Sequence, residues 1–417
     1  MKTGISVEEA RRIVLEAATP LPAEIVPASG ALGRVLAESV DSDRTLPPAD
    51  CSAMDGYAVR AEDLAGASTD APCSLAVVYE VAAGGRGERP LQSGETARIF
   101  TGAPVPAGAD TVVRQEDTDR AGERVAIRVA SPRGEHIRVA GGDVSRGDLV
   151  LQPGARIGPA EIGMLASLGR TLVHVHRRPR VAIASGGDEL IQPDGDPSGG
   201  RIVASNAYSL AAQCEDAGAT TTNLGIAGDT KEDLARVFRA GLSADLLVSS
   251  AGVSVGDHDH VRAVLEELGG QMRFWGVRMK PGYPLAFGRI GEQGAWVFGL
   301  PGNPVSAMVT FEQFVRPVLM RMGGHEACFR PVVTAVLAEP LTKKPGRLHF
   351  VRVHLKHDGE RILASSTGDQ GSGVLRSMTL AQGLLVFPAD TTALAAGDEV
   401  RVQVLDETFF RTREPLV

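Results

Sequence analysis

The sequence predicts a multidomain α/β plus β protein, with a central parallel α/β domain, a small β domain before it and another after it. Three observations predict this. At 417 residues the chain is too long for one ordinary core and fits two to four domains. Between residues 179 and 327, continuous apolar runs alternate with amphipathic stretches, the texture of strand–helix repeats. On either side, short apolar stretches alternate with Gly and Pro turns.

Taken in order, Ser6 with Glu9 three residues later forms a capping box that opens a helix over residues 6–18. From about 50 to 137, "SLAVVYEV", "TARIFTG", "DTVVRQED" and "RVAIRVA" read as the strands of the small β domain. "GPAEIGMLASLG" reads as a helix with Gly169 at its C-cap. "RVAIAS" then suits a strand buried on both faces. It is followed by the helices "NAYSLAAQCEDAG", "TKEDLARVFRAGL", "HDHVRAVLEELG" and "PVSAMVTFEQFVRPVLMRMG", interleaved with apolar strands. "VVTAVLAEPL", "FVRVHL", "GLLVFPA" and "DEVRVQVL" return to short strands after residue 328.

Composition excludes some functions. A net charge of −8, with no run of six like charges, argues against nucleic acid or an anionic membrane as partner. No apolar run approaches a membrane span, and the N-terminus has acids where a signal peptide has none, so the expected compartment is the cytoplasm. Cys51, Cys73, Cys214 and Cys328 are widely spaced and read as reduced, buried thiols.

Chemistry concentrates in loops that follow strands of the α/β domain, where such sheets bind ligands. "SGGDEL" (185–190) offers Gly186 and Gly187 for close backbone approach to an anion, and Asp188 and Glu189 as Mg²⁺ ligands; shape alone favours a plain turn with a helix-capping acid. "SSAGVSVGDHDHV" (249–261) carries Ser254 and Gly256 for an anion and Asp257 and Asp259 for a metal beside it. His258 and His260 there read as helix-start residues rather than zinc ligands, and His174 and His176 as a solvated strand face. "GLPGNPVSAM" (299–308) sets Pro301, Gly302, Asn303 and Pro304 as a rigid loop with Asn303 as N-cap and Pro304 at the first helical position, a fixed helix start suited to an anion. "MKPGYPLAFG" (279–288) holds Lys280 as a point charge in a Pro-Gly turn, with Tyr283 three positions on. Each loop alone reads as structure; their shared position after strands of one sheet points to one edge.

"SAMDGYAV", "FTGAPVPAGAD", "GGDEL", "AGVSVGDHD", "KPGYPLAFG" and "GLPGNPVSA" occur in the order found in MoeA-type molybdopterin molybdenumtransferases, the family that includes the gephyrin E domain, and the chain resembles that family over essentially its whole length. The resemblance implies insertion of molybdate into adenylylated molybdopterin with loss of AMP, supported by Mg²⁺. It implies an elongated homodimer with a discontinuous elongated N-terminal domain (1–50 and 138–178), a small β domain (51–137), a MogA-like molybdopterin-binding α/β domain (179–327) and a C-terminal β-barrel-like domain (328–417), the site lying at a dimer cleft. Positions that match its functional motifs are Asp55, Thr101, Asp229, Asp259 and Lys280 for catalysis, and Glu189, Pro301 and Pro304; Arg138, Asp143, Arg352 and Ser372 match weaker motifs. The alternative is a gephyrin-like scaffold that binds a cytoskeletal or membrane protein.

The chain departs from the family pattern at Gly142, Gly186, Ala251 and Tyr283. At Tyr283 many members resemble "KPGKP", so one cation is missing here. At an effective dielectric near 20, a charge about 4 Å from an anion is worth roughly 4 kcal/mol before desolvation. The expectation is a pocket with reduced charge, in which the tyrosine hydroxyl donates only a neutral hydrogen bond.

Overall fold

The computed structural model describes residues 1–250, 260–291 and 294–411. Two compact units emerge: residues 1–37, 154–159 and 172–417 form the first, and 38–153 with 160–171 form the second.

The first unit is organised by a seven-stranded sheet. Its strands in chain order are β1 (Lys2–Ile5), β2 (Arg180–Gly186), β3 (Thr220–Ala227), β4 (Leu246–Ser249), β5 (Gly270–Val277), β6 (Ala286–Ile290) and β7 (Trp296–Gly299), and their spatial order is β1-β5-β6-β7-β4-β2-β3. The sheet is mixed rather than wholly parallel: β6 runs antiparallel to both β5 and β7. The reason is length. A parallel crossover needs a dozen residues or more, and the connections 278–285 and 291–295 are too short for one. Because β6 alone reverses, β5 still ends at the same edge as β7, β4, β2 and β3.

Helices cover both faces. On one lie α1 (Val7–Ala17), α2 (Ser205–Asp216) and α5 (Pro304–Thr310), the last continued through a π-helical turn (Phe311–Val315) into α6 (Arg316–Met322). On the other lie α3 (Lys231–Gly241) and α4 (His260–Glu267). Half of the expected capping box forms: the Ser6 hydroxyl accepts from the Glu9 N–H at 3.2 Å, while the Glu9 carboxylate pairs with Lys2 and Arg12, and the apolar stripe Val7, Ala10 and Val14 is buried on the sheet. Residues 1–17, expected in the elongated domain, therefore join the α/β layer through β1, which pairs parallel with β5.

A closed five-stranded barrel follows: β8 (Val332–Leu337), β9 (Leu348–Asp358), β10 (Arg361–Ser366), β11 (Gly383–Phe387) and β12 (Glu399–Val404), in the order β9-β10-β8-β12-β11 with β11 returning to β9. Closure removes exposed sheet edges and encloses Ala335, Val353, Leu385 and Val402. The short strand Met279–Lys280 extends the barrel by pairing parallel with the start of β9, Met279 opposite Leu348 and Lys280 opposite His349.

The second unit is built on a six-stranded sheet that includes Gly56–Val59, Cys73–Val81, Glu95–Ile99 and Thr111–Arg114, with apolar clusters on its two faces. All four cysteines are free thiols; Cys51, Cys214 and Cys328 are buried as expected, whereas Cys73 is only half-buried. Among the described residues, no helix is long and apolar enough to cross a membrane.

Candidate functional site

A cleft of about 540 Å³ opens in the first unit, within the range of small-molecule sites. The turn after β5 contributes Lys280 and Tyr283, the loop after β7 contributes Pro301 and Asn303, the first turn of α5 contributes Ser306, and the barrel contributes Arg347 and residues 369–372. Of the residues expected to bind substrate or act on it, Lys280, Tyr283, Pro301, Asn303 and Ser372 line this cleft. Sequence reasoning missed Arg347, Ser306 and Gln370.

Local chemistry fixes each wall. Gly282 adopts φ 107°, and a Cβ there would stand 2.4 Å from the Thr310 methyl, so the Lys280–Tyr283 turn can sit against the helix only as glycine. Asn303 occupies the N-cap position before Pro304, but its side chain does not cap the helix. Its amide donates instead to the Ser372 hydroxyl at 3.0 Å, while the Val305 N–H reaches the Ser372 carbonyl at 3.1 Å. The Gly302 carbonyl accepts from Asn206 at 2.7 Å. The rigid loop is thus tied to the barrel on one side and to α2 on the other.

Arg352 is fully buried beneath this wall, not exposed in the cleft. Its Nε donates to the Ser377 hydroxyl at 3.0 Å, and its Nη2 donates to the carbonyls of Gly371 (3.0 Å) and Asp369 (3.3 Å). Burial pulls its pKa down to about 10. Direct substrate contact is therefore corrected to positioning: Arg352 shapes the loop that carries Ser372. Arg352→Lys cannot reproduce the planar fork of donors. It is expected to cost roughly 2 kcal/mol of stability and to raise amide exchange in residues 369–372, read by denaturant unfolding and by hydrogen exchange.

Tyr283 behaves differently from its sequence reading. Its hydroxyl lies over the glycines at positions 4 and 276, 3.5 and 3.4 Å from where a Cβ would stand on each. The Arg347 guanidinium carbon lies 4.8 Å from its ring centroid. The position without a lysine therefore has a cation stacked on it, contributed by the barrel.

A second polar group lies farther along the same sheet edge, over β2 and β3. The Asp229 N–H donates to Asp188 Oδ1 at 3.0 Å, and the Asp188 N–H donates to Asp229 Oδ2 at 3.3 Å. Glu189 folds back over Gly187, where a Cβ would meet its carboxylate at 2.5 Å; Gly187 itself has φ 145°. Gly186 ends β2 beside Ala227. Thr230, not an acid, caps α3 by accepting from the Asp233 N–H. In sheet order β4 stands between β7 and β2, and in the segment that follows it Ser254, Gly256, Asp257 and Asp259 lie outside the described residues. Among the described residues, no set of three His, Cys, Asp or Glu side chains could hold a metal ion.

Asp55 and Thr101 belong to the second unit and meet there. Asp55 Oδ1 accepts from both the N–H and the hydroxyl of Thr101, each at 2.8 Å. The Thr101 backbone N–H first, then its hydroxyl, hold the Asp55 carboxyl below the usual range, so it is an anion at neutral pH. Gly56 is required beside it: a Cβ there would overlap the Val113 carbonyl. Arg138, in the same unit, is exposed and pairs by its backbone with Cys51; Asp143 is also exposed.

Comparison with known proteins agrees across the chain. Residues 5–169 match the MoeA N-terminal region (domain I and II), 182–321 match a probable molybdopterin binding domain, and 334–405 match the MoeA C-terminal region (domain IV). The chain is 40% identical over 403 residues to molybdopterin molybdenumtransferase 2 of Mycobacterium tuberculosis (strain ATCC 25618 / H37Rv), covering 95% of this chain and 98% of the relative. It is 35% identical over 406 residues to the molybdopterin molybdenumtransferase of Haemophilus influenzae, covering 96% and 98%. Among solved structures, a molybdopterin biosynthesis MoeA protein from Pyrococcus horikoshii superposes with a TM-score of 0.82 at 33% identity, covering 96% of this chain and 99% of that one.

Proposed function

The chain belongs to the MoeA family, and on that premise we propose that it is a molybdopterin molybdenumtransferase of molybdenum cofactor biosynthesis that inserts molybdate into adenylylated molybdopterin and releases AMP. The observation that carries this reading is the cleft, where Lys280, Ser306, Ser372 and the loop 301–304 converge. An oxyanion needs positive charge and fixed donors, and this wall supplies both without reorganising. Lys280 serves as the point charge, while the Asn303–Ser372 bond holds the hydroxyl in place.

Mg²⁺ fits the polar group over β2 and β3. Asp188 and Asp229 each use one carboxylate oxygen in their mutual bonds and keep a second for a hard cation, and Mg²⁺ is commonly held by one or two carboxylates together with substrate phosphates. Bound there, it would neutralise phosphate charge and polarise the bond to be broken. Glu189, Asp257 and Asp259 are the further candidates in the adjoining loops, and Gly186, Gly187, Ser254 and Gly256 the small residues that let phosphate approach. Asp55 with Thr101 and Arg138 act from the second unit, which we assign to the partner's half of a homodimeric site in the cytoplasm. Mixing an Asp55→Asn chain with a Lys280→Ala chain tests this: activity recovered on mixing supports a shared site, and none recovered refutes it. The gephyrin-like scaffold has no observation in its favour, since the relatives named as transferases match nearly end to end.

The deciding experiment is reconstitution. Purified protein with adenylylated molybdopterin, molybdate and Mg²⁺ is expected to yield molybdenum cofactor and AMP. Neither product, under conditions where a relative named above gives both, overturns the reading.

A further inference from the structure

We propose that Arg347 is the second cation of the cleft, contacting the anionic substrate beside Lys280, and that the ring of Tyr283 is what positions it. The inference rests on the transferase reading for the identity of the anion, but not for the geometry.

Three observations carry it. Arg347 lines the same cleft as Lys280, Asn303, Ser306 and Ser372. Its guanidinium carbon is 4.8 Å from the Tyr283 ring centroid, and among the described residues no carboxylate forms an ion pair with it. A guanidinium resting on an aromatic face is oriented through that face, which leaves its N–H edges for an acceptor. An ion pair with a carboxylate would instead have used those edges.

The backbone on both sides of the stack is held. Arg347 immediately precedes Leu348, which pairs with Met279, and the Leu348 N–H donates to the Arg278 carbonyl at 3.1 Å. Lys343 Nζ donates to the Arg347 carbonyl at 3.1 Å and to the Ala389 carbonyl at 3.0 Å. On the other side, the Tyr283 carbonyl accepts from the Val277 and Leu285 N–H groups, both at 2.9 Å. Its hydroxyl end rests on two residues with no Cβ, Gly4 and Gly276, both at positive φ. Tyr283 is thus a platform, and its hydroxyl lies over backbone. The charge expected to be missing comes instead from the turn before β9 and approaches from the barrel side.

The ligand chemistry is a tetrahedral oxyanion, which here has two sources: molybdate, or the phosphate of the nucleotide. Equilibrium binding to the full chain, measured separately with molybdate alone, AMP alone and pyrophosphate alone, distinguishes them. Arg347→Ala is expected to weaken binding of one source about tenfold, the loss of a charge-assisted contact, with Arg347→Lys intermediate. Tyr283→Phe keeps the platform and is expected to bind as wild type. Tyr283→Leu removes it and is expected to bind as weakly as Arg347→Ala, with no further loss in the double variant. Melting curves of Arg347→Gln and Arg347→Ala check that the fold is retained.

The proposal is overturned by Arg347→Ala and Arg347→Gln proteins that bind all three anions like wild type, by a Tyr283→Phe loss as large as that of Tyr283→Leu, or by wild-type protein that binds none of the three. Wild-type protein that shows the expected binding pattern but does not insert molybdenum refutes the transferase reading and leaves this inference standing. Insertion by wild type with unchanged binding in the Arg347 variants does the reverse.

Discussion

Lys280→Ala is expected to lower the rate of molybdenum insertion about a hundredfold, the scale for loss of one fixed charge facing an oxyanion. The melting temperature is expected to stay within about 2 °C of wild type, because surface substitutions outside caps and cores seldom cost more than half a kcal/mol. The reasoning is positional. The Lys280 side chain is exposed at the cleft, while its backbone is held by pairing with His349 and does not depend on the amine. The turn is shaped by Gly282 against Thr310, which the substitution leaves untouched. Lys280→Arg is expected to restore part of the rate, since it keeps the charge but changes its reach. Full insertion activity in Lys280→Ala, measured under single-turnover conditions, would place the anion site elsewhere.

Much of this site was legible because strand-end loops carry local signatures. Asn-Pro after an apolar run marks a helix start, Gly-Gly-Asp marks a turn, and the common direction of β5, β7, β4, β2 and β3 gathers those turns at one edge. The reversal of β6 is written in the short connections on either side of it, which strand–helix alternation alone does not reveal. What was not legible is long-range. Nothing local says that Met279–Lys280 pairs with Leu348–His349, and without that pairing Arg347 in "KKPGRLHF" is one basic turn residue among several. Asn303 shows the same limit. Its type and place are those of a cap, yet a hydroxyl from the barrel, Ser372, takes its side chain. Arg352 matched a weak motif, but only its burial shows that it acts through the loop 369–371.

The same pairing makes acidification costly. His349 is buried, 6% exposed, and among the described residues neither ring nitrogen has a hydrogen-bond partner. Burial first, then the positive charges of Lys280, Arg352 and Lys343, pull its pKa down to about 4. An unfolded histidine titrates near 6.5. Between those values the unfolded chain binds the proton and the folded chain does not, so stability falls as pH falls from about 6.5 toward 4. Above that window this residue contributes no pH dependence. Over the whole window the loss is about 3 kcal/mol, and down to pH 5 about 2 kcal/mol. His349→Leu removes both the proton site and two unsatisfied polar atoms, so at pH 7.5 it is expected to be at least as stable as wild type. Denaturant unfolding of both proteins from pH 7.5 to 4.5 checks this. The wild type is expected to lose about 2 kcal/mol relative to the variant by pH 5, and a difference that stays constant with pH excludes His349 as the titrating group. The neutral ring has a consequence for the cleft as well. Protonated, it would set a third positive charge directly across the strand pair from Lys280, so a substrate anion bound at Lys280 is expected to reduce the acid loss in wild type and not in His349→Leu.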